Sequence, residues 1–162
     1  MVQKDDLRIQ NLKEYLETAQ KAVKYLQHSY SKVLPLQHRL QNIQSIEQLD
    51  MDQIDDLEAF SARFARSADI LCQKVFRAID VIELVDTGSI IDRLNRMEKR
   101  GLIESAQDWK QIREERNEIA HDYVIEDNQE FYLTLINLTP KFFDATVKIE
   151  KWVNEKFNKA SN

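Results

Sequence analysis

The feature that most constrains this chain is how little of it can turn. Its 162 residues include two glycines and two prolines, the residues on which tight turns and hairpins depend most. A sheet protein needs turn signals about every 8–12 residues, so a chain this poor in them is left with long unbroken segments. An all-α protein follows. The apolar spacing agrees: Ile9, Leu12, Leu16, Ala19, Val23, Leu26, Tyr30 and Val33 alternate steps of three and four, which lays one stripe along one helix. That helix is expected to stop near Pro35, because the residue before a proline avoids the helical region. Packing inside a bundle accounts for the stripe, since two later segments repeat it.

Residues 34–54 are polar and less regular and predict a connection with helical turns at Leu36–Ile43 and Ile46–Leu49. A second long helix is expected from near Asp52–Asp56 to about Val85, with Leu57, Phe60, Phe64, Ala68, Leu71, Val75, Ala78 and Ile82 facing the core. Asp86–Ser89 breaks it and caps a short helix from Ile90 to Arg100, which Gly101 ends. After Tyr123 the chain turns, with Asn128 a cap for the last helix, Gln129–Phe157. Pro140 kinks or divides that helix, with Thr139 able to cap a new start. The sum is one domain over residues 1–162, an up-and-down bundle of four to five main helices with a tail that frays.

Charge and composition exclude several functions. A formal net charge of −5 argues against broad, sequence-independent nucleic-acid binding. It leaves room for a local basic patch, and Arg93, Arg96 and Arg100 recur at helical spacing beside Lys99. A solvated face explains those four equally well. Cys72 stands alone, so neither an intrachain disulfide nor a thiolate metal cluster is available. It reads as a buried, inert thiol bordering the core stripe. His28 and His38 lack ligand partners at suitable spacing, and Asp69, Asp80 and Glu83 make no metal constellation. No metal or cofactor is expected. The first residues lack the apolar core of a signal peptide and no run reaches membrane-spanning length, so a soluble, cytoplasmic protein with no membrane partner is expected.

One stretch gathers reactive and phosphate-binding side chains, Ser105 to Tyr123. Ser105 and Asp108 form a capping-box-like start. On the helix that follows, Lys110, Asn117 and His121 fall on one line with Arg113 beside them, while Ile112 and Ile119 take the opposite side. Arg116 sits on the flank of the apolar side, about 140° round from His121 and about 7.5 Å away along the axis. The two heads therefore meet only across the ridge, at a turn after His121, or with a second chain supplying one of them. A guanidinium binds phosphate through two hydrogen bonds and stays cationic, and an imidazole exchanges a proton near neutrality. Together they suffice to cut RNA without a metal, with Asn117 in support. Singly, each has a structural explanation: Arg116 covers Trp109 and pairs with a carboxylate, His121 complements a helix C-terminus, and the mixed charges form a solvated face.

Arg116 to His121 reads RNEIAH and continues to Tyr123, giving Arg-x4-His-x-Tyr. This resembles the motif of HEPN domains in the form carried by HepT-type toxins. The approach from Gly101, with Gly-Leu-Ile, Trp109 and Arg116–Asn117 before His121, is similar to the subgroup called nucleotidyltransferase substrate-binding proteins. The specific likeness covers about residues 84–125. It implies a small helical bundle, a homodimer whose motif helices meet across the interface, and an RNA-cleaving cleft with Arg116 and His121 catalytic and Asn117 supporting. Lys110, Arg113, Arg93, Arg96 and Arg100 would then be candidate RNA contacts. The resemblance also implies a nucleotidyltransferase antitoxin as partner and AMP transfer to Tyr123, which would block the cleft by charge and bulk.

Three functions are consistent with these residues. The first is a metal-independent endoribonuclease acting as the toxin of a two-gene pair. The second is a non-catalytic subunit that binds or presents substrate to a nucleotidyltransferase. The third is an oligomerising helical adaptor in which RNEIAH is accidental.

Overall fold

A computed structural model describes residues 2–121 and 128–158, with side chains from residue 5 onward. No strand occurs among the described residues. Helix α1 spans Val2–Val33 and gives way to a 3-10 turn, Leu34–Leu36, holding Pro35 in its first positions. The irregular connection contains α2, Gln37–Asn42, and a 3-10 turn at Ile46–Gln48, where the Ser45 hydroxyl accepts from the Glu47 N–H. Helix α3, Met51–Asp69, opens with a full capping box: Asp50 accepts from the Gln53 N–H, and the Gln53 side chain accepts from the Asp50 N–H. It runs without a break through a π-helical segment, Ile70–Val75, into α4, Phe76–Ile82. The core stripe of that rod follows the expected positions, but its periodicity gave no sign of the π turn.

Helix α5, Ile90–Lys99, has its own capping box between Ser89 and Asp92. Gly101, at φ +71, ends it. The Gly101 N–H reaches the Glu98 carbonyl at 2.9 Å and the Leu102 N–H the Met97 carbonyl at 3.0 Å, the two bonds of a Schellman close, with Met97 and Leu102 both buried. Helix α6, Ala106–His121, follows, then α7, Gln129–Leu138, capped by Asn128. Helix α8, Pro140–Val153, ends in a second π segment, Asn154–Asn158. Thr139 departs from expectation. It stays helical at φ −57 and ψ −39 with no side-chain cap, and its hydroxyl instead donates to the Leu135 carbonyl at 2.7 Å. With its own N–H on that same carbonyl, the residue is held helical from below, so Pro140 continues the helical path instead of beginning a separately capped helix.

Side-chain pairs set the directions. Lys32 meets Asp56 at 3.2 Å, Arg63 donates to the Ser29 hydroxyl at 2.7 Å, and the Lys74 ammonium lies 5.3 Å from the centre of the Tyr15 ring. Numbers fall on one helix as they rise on the other, so α1 and the α3–α4 rod are antiparallel. By the same reasoning Tyr30 against Phe143 and Lys13 bonded to Asn158 make α8 antiparallel to α1. Arg116 on Asp69 and Trp109 against Phe76 make α6 antiparallel to the rod. The result is the expected up-and-down bundle, with α5 a short link. Its centre is aromatic: Trp109 lies 5.0 Å from Phe76 and 5.2 Å from Phe142, and Phe142 lies 4.9 Å from Phe64, measured between ring centres. No helix among the described residues is long and apolar enough to cross a membrane.

Candidate functional site

Helix α6 is fixed at its start and again at Arg116 in its second half. At its start the Ser105 hydroxyl accepts from the Asp108 N–H at 3.2 Å, and the Ala106 N–H donates to the Glu98 carboxylate at 2.5 Å. Lys141 reaches back from α8 to Asp108 at 3.1 Å and Glu104 at 3.0 Å. Ala106, Trp109 and Ile112 seat the first half in the core, whereas Lys110, Asn117, Ala120 and His121 are exposed.

In the second half, Arg116 pairs with Asp69 at the end of α3. The Nε–H donates to Oδ1 at 2.6 Å and Nη2 donates to Oδ2 at 2.8 Å, a parallel double bond in which the carboxylate takes one edge of the guanidinium. The hydrogen bond to Asp69, partly offset by desolvation, raises the Arg116 pKa above its usual value. This is the carboxylate pairing that sequence offers as the structural alternative for Arg116. It uses two of five donors. The outer edge, formed by Nη1 and the second Nη2 hydrogen, has no hydrogen-bond partner among the described residues.

Arg116 lines a crevice of about 70 Å³ together with Ala68, Asp69, Cys72, Gln73, Arg113 and Asn117. Three residues chosen from sequence therefore come together: Arg113, Arg116 and Asn117. His121 is not among its walls; it ends α6 one turn beyond Asn117, exposed. Lys110 is exposed on the same helix. Tyr123 lies outside the described residues. Cys72 is buried at the floor, and burial pushes its thiol up to about 12 against the nearby Arg113 charge, which makes it a poor nucleophile at neutral pH. Its reading as an inert thiol stands.

The other basic group is turned inward. Arg93, Arg96 and Arg100 all converge on Asp80 of α4, which is fully buried. Arg96 donates from Nε to both carboxylate oxygens at 3.1 Å and from Nη2 at 2.6 Å, and Arg100 donates from Nη1 at 2.8 Å. The Arg93 Nε stands 3.4 Å away in charge contact without hydrogen-bond geometry, while its Nη2 bonds Asp86 at 3.0 Å. Arg96 also donates to the Thr87 carbonyl at 3.0 Å. Burial pushes the Asp80 carboxyl up, but the hydrogen bonds and charges of Arg96 and Arg100 outweigh it and hold the pKa below the usual range. The helical spacing of these arginines is thus the register of a clamp that docks α5 on α4, neither a solvated face nor an open basic wall. Sequence reasoning passed over Asp80 because it sought metal ligands there; its place on the apolar side of the rod, next to Ile79, was the available sign. Asp69 was likewise set aside, although it lies one residue from Ala68 of the core stripe.

No protein-family model matches the sequence, and no curated protein matches it.

Proposed function

We propose that the chain is a metal-independent endoribonuclease of the HEPN type, the toxin of a pair whose other member is a nucleotidyltransferase. The observation that carries this reading is the Arg116–Asp69 pair: a guanidinium held by one edge in the wall of a crevice shared with Asn117 and Arg113. Such an arginine is pre-oriented for a phosphate, and the carboxylate restricts its rotamers before substrate arrives. In this reading His121 removes the ribose 2′ proton, the 2′ oxygen attacks phosphorus, and Arg116 steadies the charge on the phosphorane. The 5′ oxygen leaves with a proton, and the product is a cyclic phosphate. Because His121 stands off the crevice of its own chain, a homodimer in which one protomer's imidazole faces the other's Arg116 supplies both groups. AMP transfer to Tyr123 would silence such a cleft.

A second reading, a non-catalytic subunit that presents substrate to the nucleotidyltransferase, is favoured by one fact: Asp69 cancels much of the Arg116 charge in a chain already at −5. One experiment separates the two. Purified protein is incubated with total RNA in the presence of a chelator. The nuclease reading expects cyclic-phosphate ends, and a loss of about 10²–10⁴-fold in rate for His121→Ala and Arg116→Ala. Cleavage abolished by the chelator, or unchanged in His121→Ala, rules the mechanism out. Intact RNA together with co-purification of a nucleotidyltransferase assigns the binding subunit.

A further inference from the structure

On the far side of the π segment from Arg116, α1 and the rod enclose a cleft of about 300 Å³, lined by Arg8, Asn11, Tyr15, Gln73, Lys74, Arg77, Ala78 and Val81. Three of these are cations and, among the described residues, none is a carboxylate. In a chain with net charge −5, that local excess sets the place apart. The neighbouring acids only partly offset it: Arg8 touches Asp5 at 3.5 Å, and Arg77 touches Asp86 at 3.4 Å. Both contacts are long, the second with hydrogen-bond geometry, and each has one exposed and one partly covered member; such pairs contribute about 0–1 kcal/mol. Asp86 is in any case already bonded to Arg93. Lys74 has no carboxylate partner among the described residues and rests over the Tyr15 ring.

The walls are of two kinds. Arg8, Lys74 and Arg77, with the Asn11 amide and the second hydrogen of the Gln73 amide, whose first lies on Asp69 at 3.4 Å, supply hydrogen-bond donors to an anion. Ala78 and Val81, both half-buried, and the Tyr15 ring supply an apolar side. The volume falls at the lower end of small-molecule pockets, larger than a bare phosphate needs. We infer that this cleft binds a phosphate monoester: the dianion between Arg8, Lys74 and Arg77, and its organic group against Tyr15, Ala78 and Val81. Lys74 is the moving part. Its ammonium leaves the Tyr15 ring for the phosphate, and the ring face it uncovers receives the organic group, so one swing of a flexible stem completes both contacts. The π segment carries Gln73 and Lys74, both exposed, and π turns recur at functional sites. The site is independent of RNA cleavage at Arg116, although Gln73 borders both hollows.

Two sources carry a phosphate monoester, a small metabolite or the 5′-phosphorylated end of a nucleic-acid strand. Titration of the full chain followed by amide NMR distinguishes them, with phenyl phosphate, inorganic phosphate, and a short oligonucleotide bearing either a 5′-phosphate or a 5′-hydroxyl as probes. Phenyl phosphate is expected to shift the amides of Gln73–Ala78 and to bind about tenfold more tightly than inorganic phosphate, with affinity falling as salt is raised. Lys74→Gln is expected to weaken phenyl phosphate by about tenfold. Tyr15→Leu is expected to weaken phenyl phosphate while leaving inorganic phosphate unchanged, a split that general loss of folding would not produce. Preference for the 5′-phosphorylated strand over its hydroxyl twin assigns the strand end as the source; binding of phenyl phosphate alone assigns the metabolite. No shift with any probe, or binding that is indifferent to Lys74→Gln in a variant with unchanged helical circular dichroism, overturns the proposal whatever the RNA-cleavage assay reports.

Discussion

Asp80 shows how one buried charge governs a neighbourhood. It is completely covered, yet three guanidinium groups surround it, so its cost of desolvation is met by direct hydrogen bonds. Removing one member of such a buried set leaves the others uncompensated. Asp80→Asn is expected to lower unfolding free energy by about 3 kcal/mol, read from urea denaturation at pH 7. The pH dependence has a definite sign. The folded pKa is depressed, so the stabilisation is fully present above the unfolded value of about 3.9 and is lost as pH falls through the lower folded value. The parent should therefore lose stability below about pH 4 more steeply than Asp80→Asn. Arg116 and Asp69 form a looser version of the same device, about a third exposed on each side.

At the scale of elements, the helix boundaries were plainly written in the sequence wherever local chemistry sets them. Asn128, Gly101 and the Ser89 and Ser105 starts each act as their residue type predicts, because a cap or a positive φ is decided within about four residues, whereas Leu34, before Pro35, stays in a 3-10 turn instead of leaving the helical region. Thr139 was misjudged because its hydroxyl had a second option, the carbonyl one turn back, and the helix running into it made that option the nearer one. Asp50 offers a direct test of a cap. Asp50→Ala removes half of the box with Gln53, and a loss of about 1 kcal/mol is expected in thermal or urea unfolding with no change in the slope against urea. The purpose of Arg93, Arg96 and Arg100 was illegible for a different reason: spacing shows which side of a helix a residue occupies, while the carboxylate it meets lies on another helix.

For the whole molecule, the three long stripes had one economical solution, an antiparallel bundle, and the aromatic residues fix its centre. Phe142 of α8 touches Phe64 of α3 and Trp109 of α6, so it joins three helices. Phe142→Ala is expected to cost about 3–5 kcal/mol and to alter the Trp109 fluorescence, while exposed Val147→Ala, one turn along the same helix, is expected to change stability by less than about 0.5 kcal/mol. The candidate site was half legible: sequence paired Arg116 with His121, with Asn117 in support and Arg113 as a contact, and the crevice holds three of these without His121, while neither Asp69 nor the basic cleft beyond Gln73 can be found without knowing which helices lie side by side.

The single wide turn between Ile70 and Val75 has the largest reach. It stands between Asp69, which grips the motif helix, and Asp80, which grips α5, and in it the Phe76 N–H bonds five residues back, to Leu71. Rewinding that turn to ordinary α geometry with every residue kept would swing everything beyond by about 100°, so that one anchor or the other would miss its target. The angular phase between those two acids is set by the length of that turn, and through it two regions with no residue in common are kept in step.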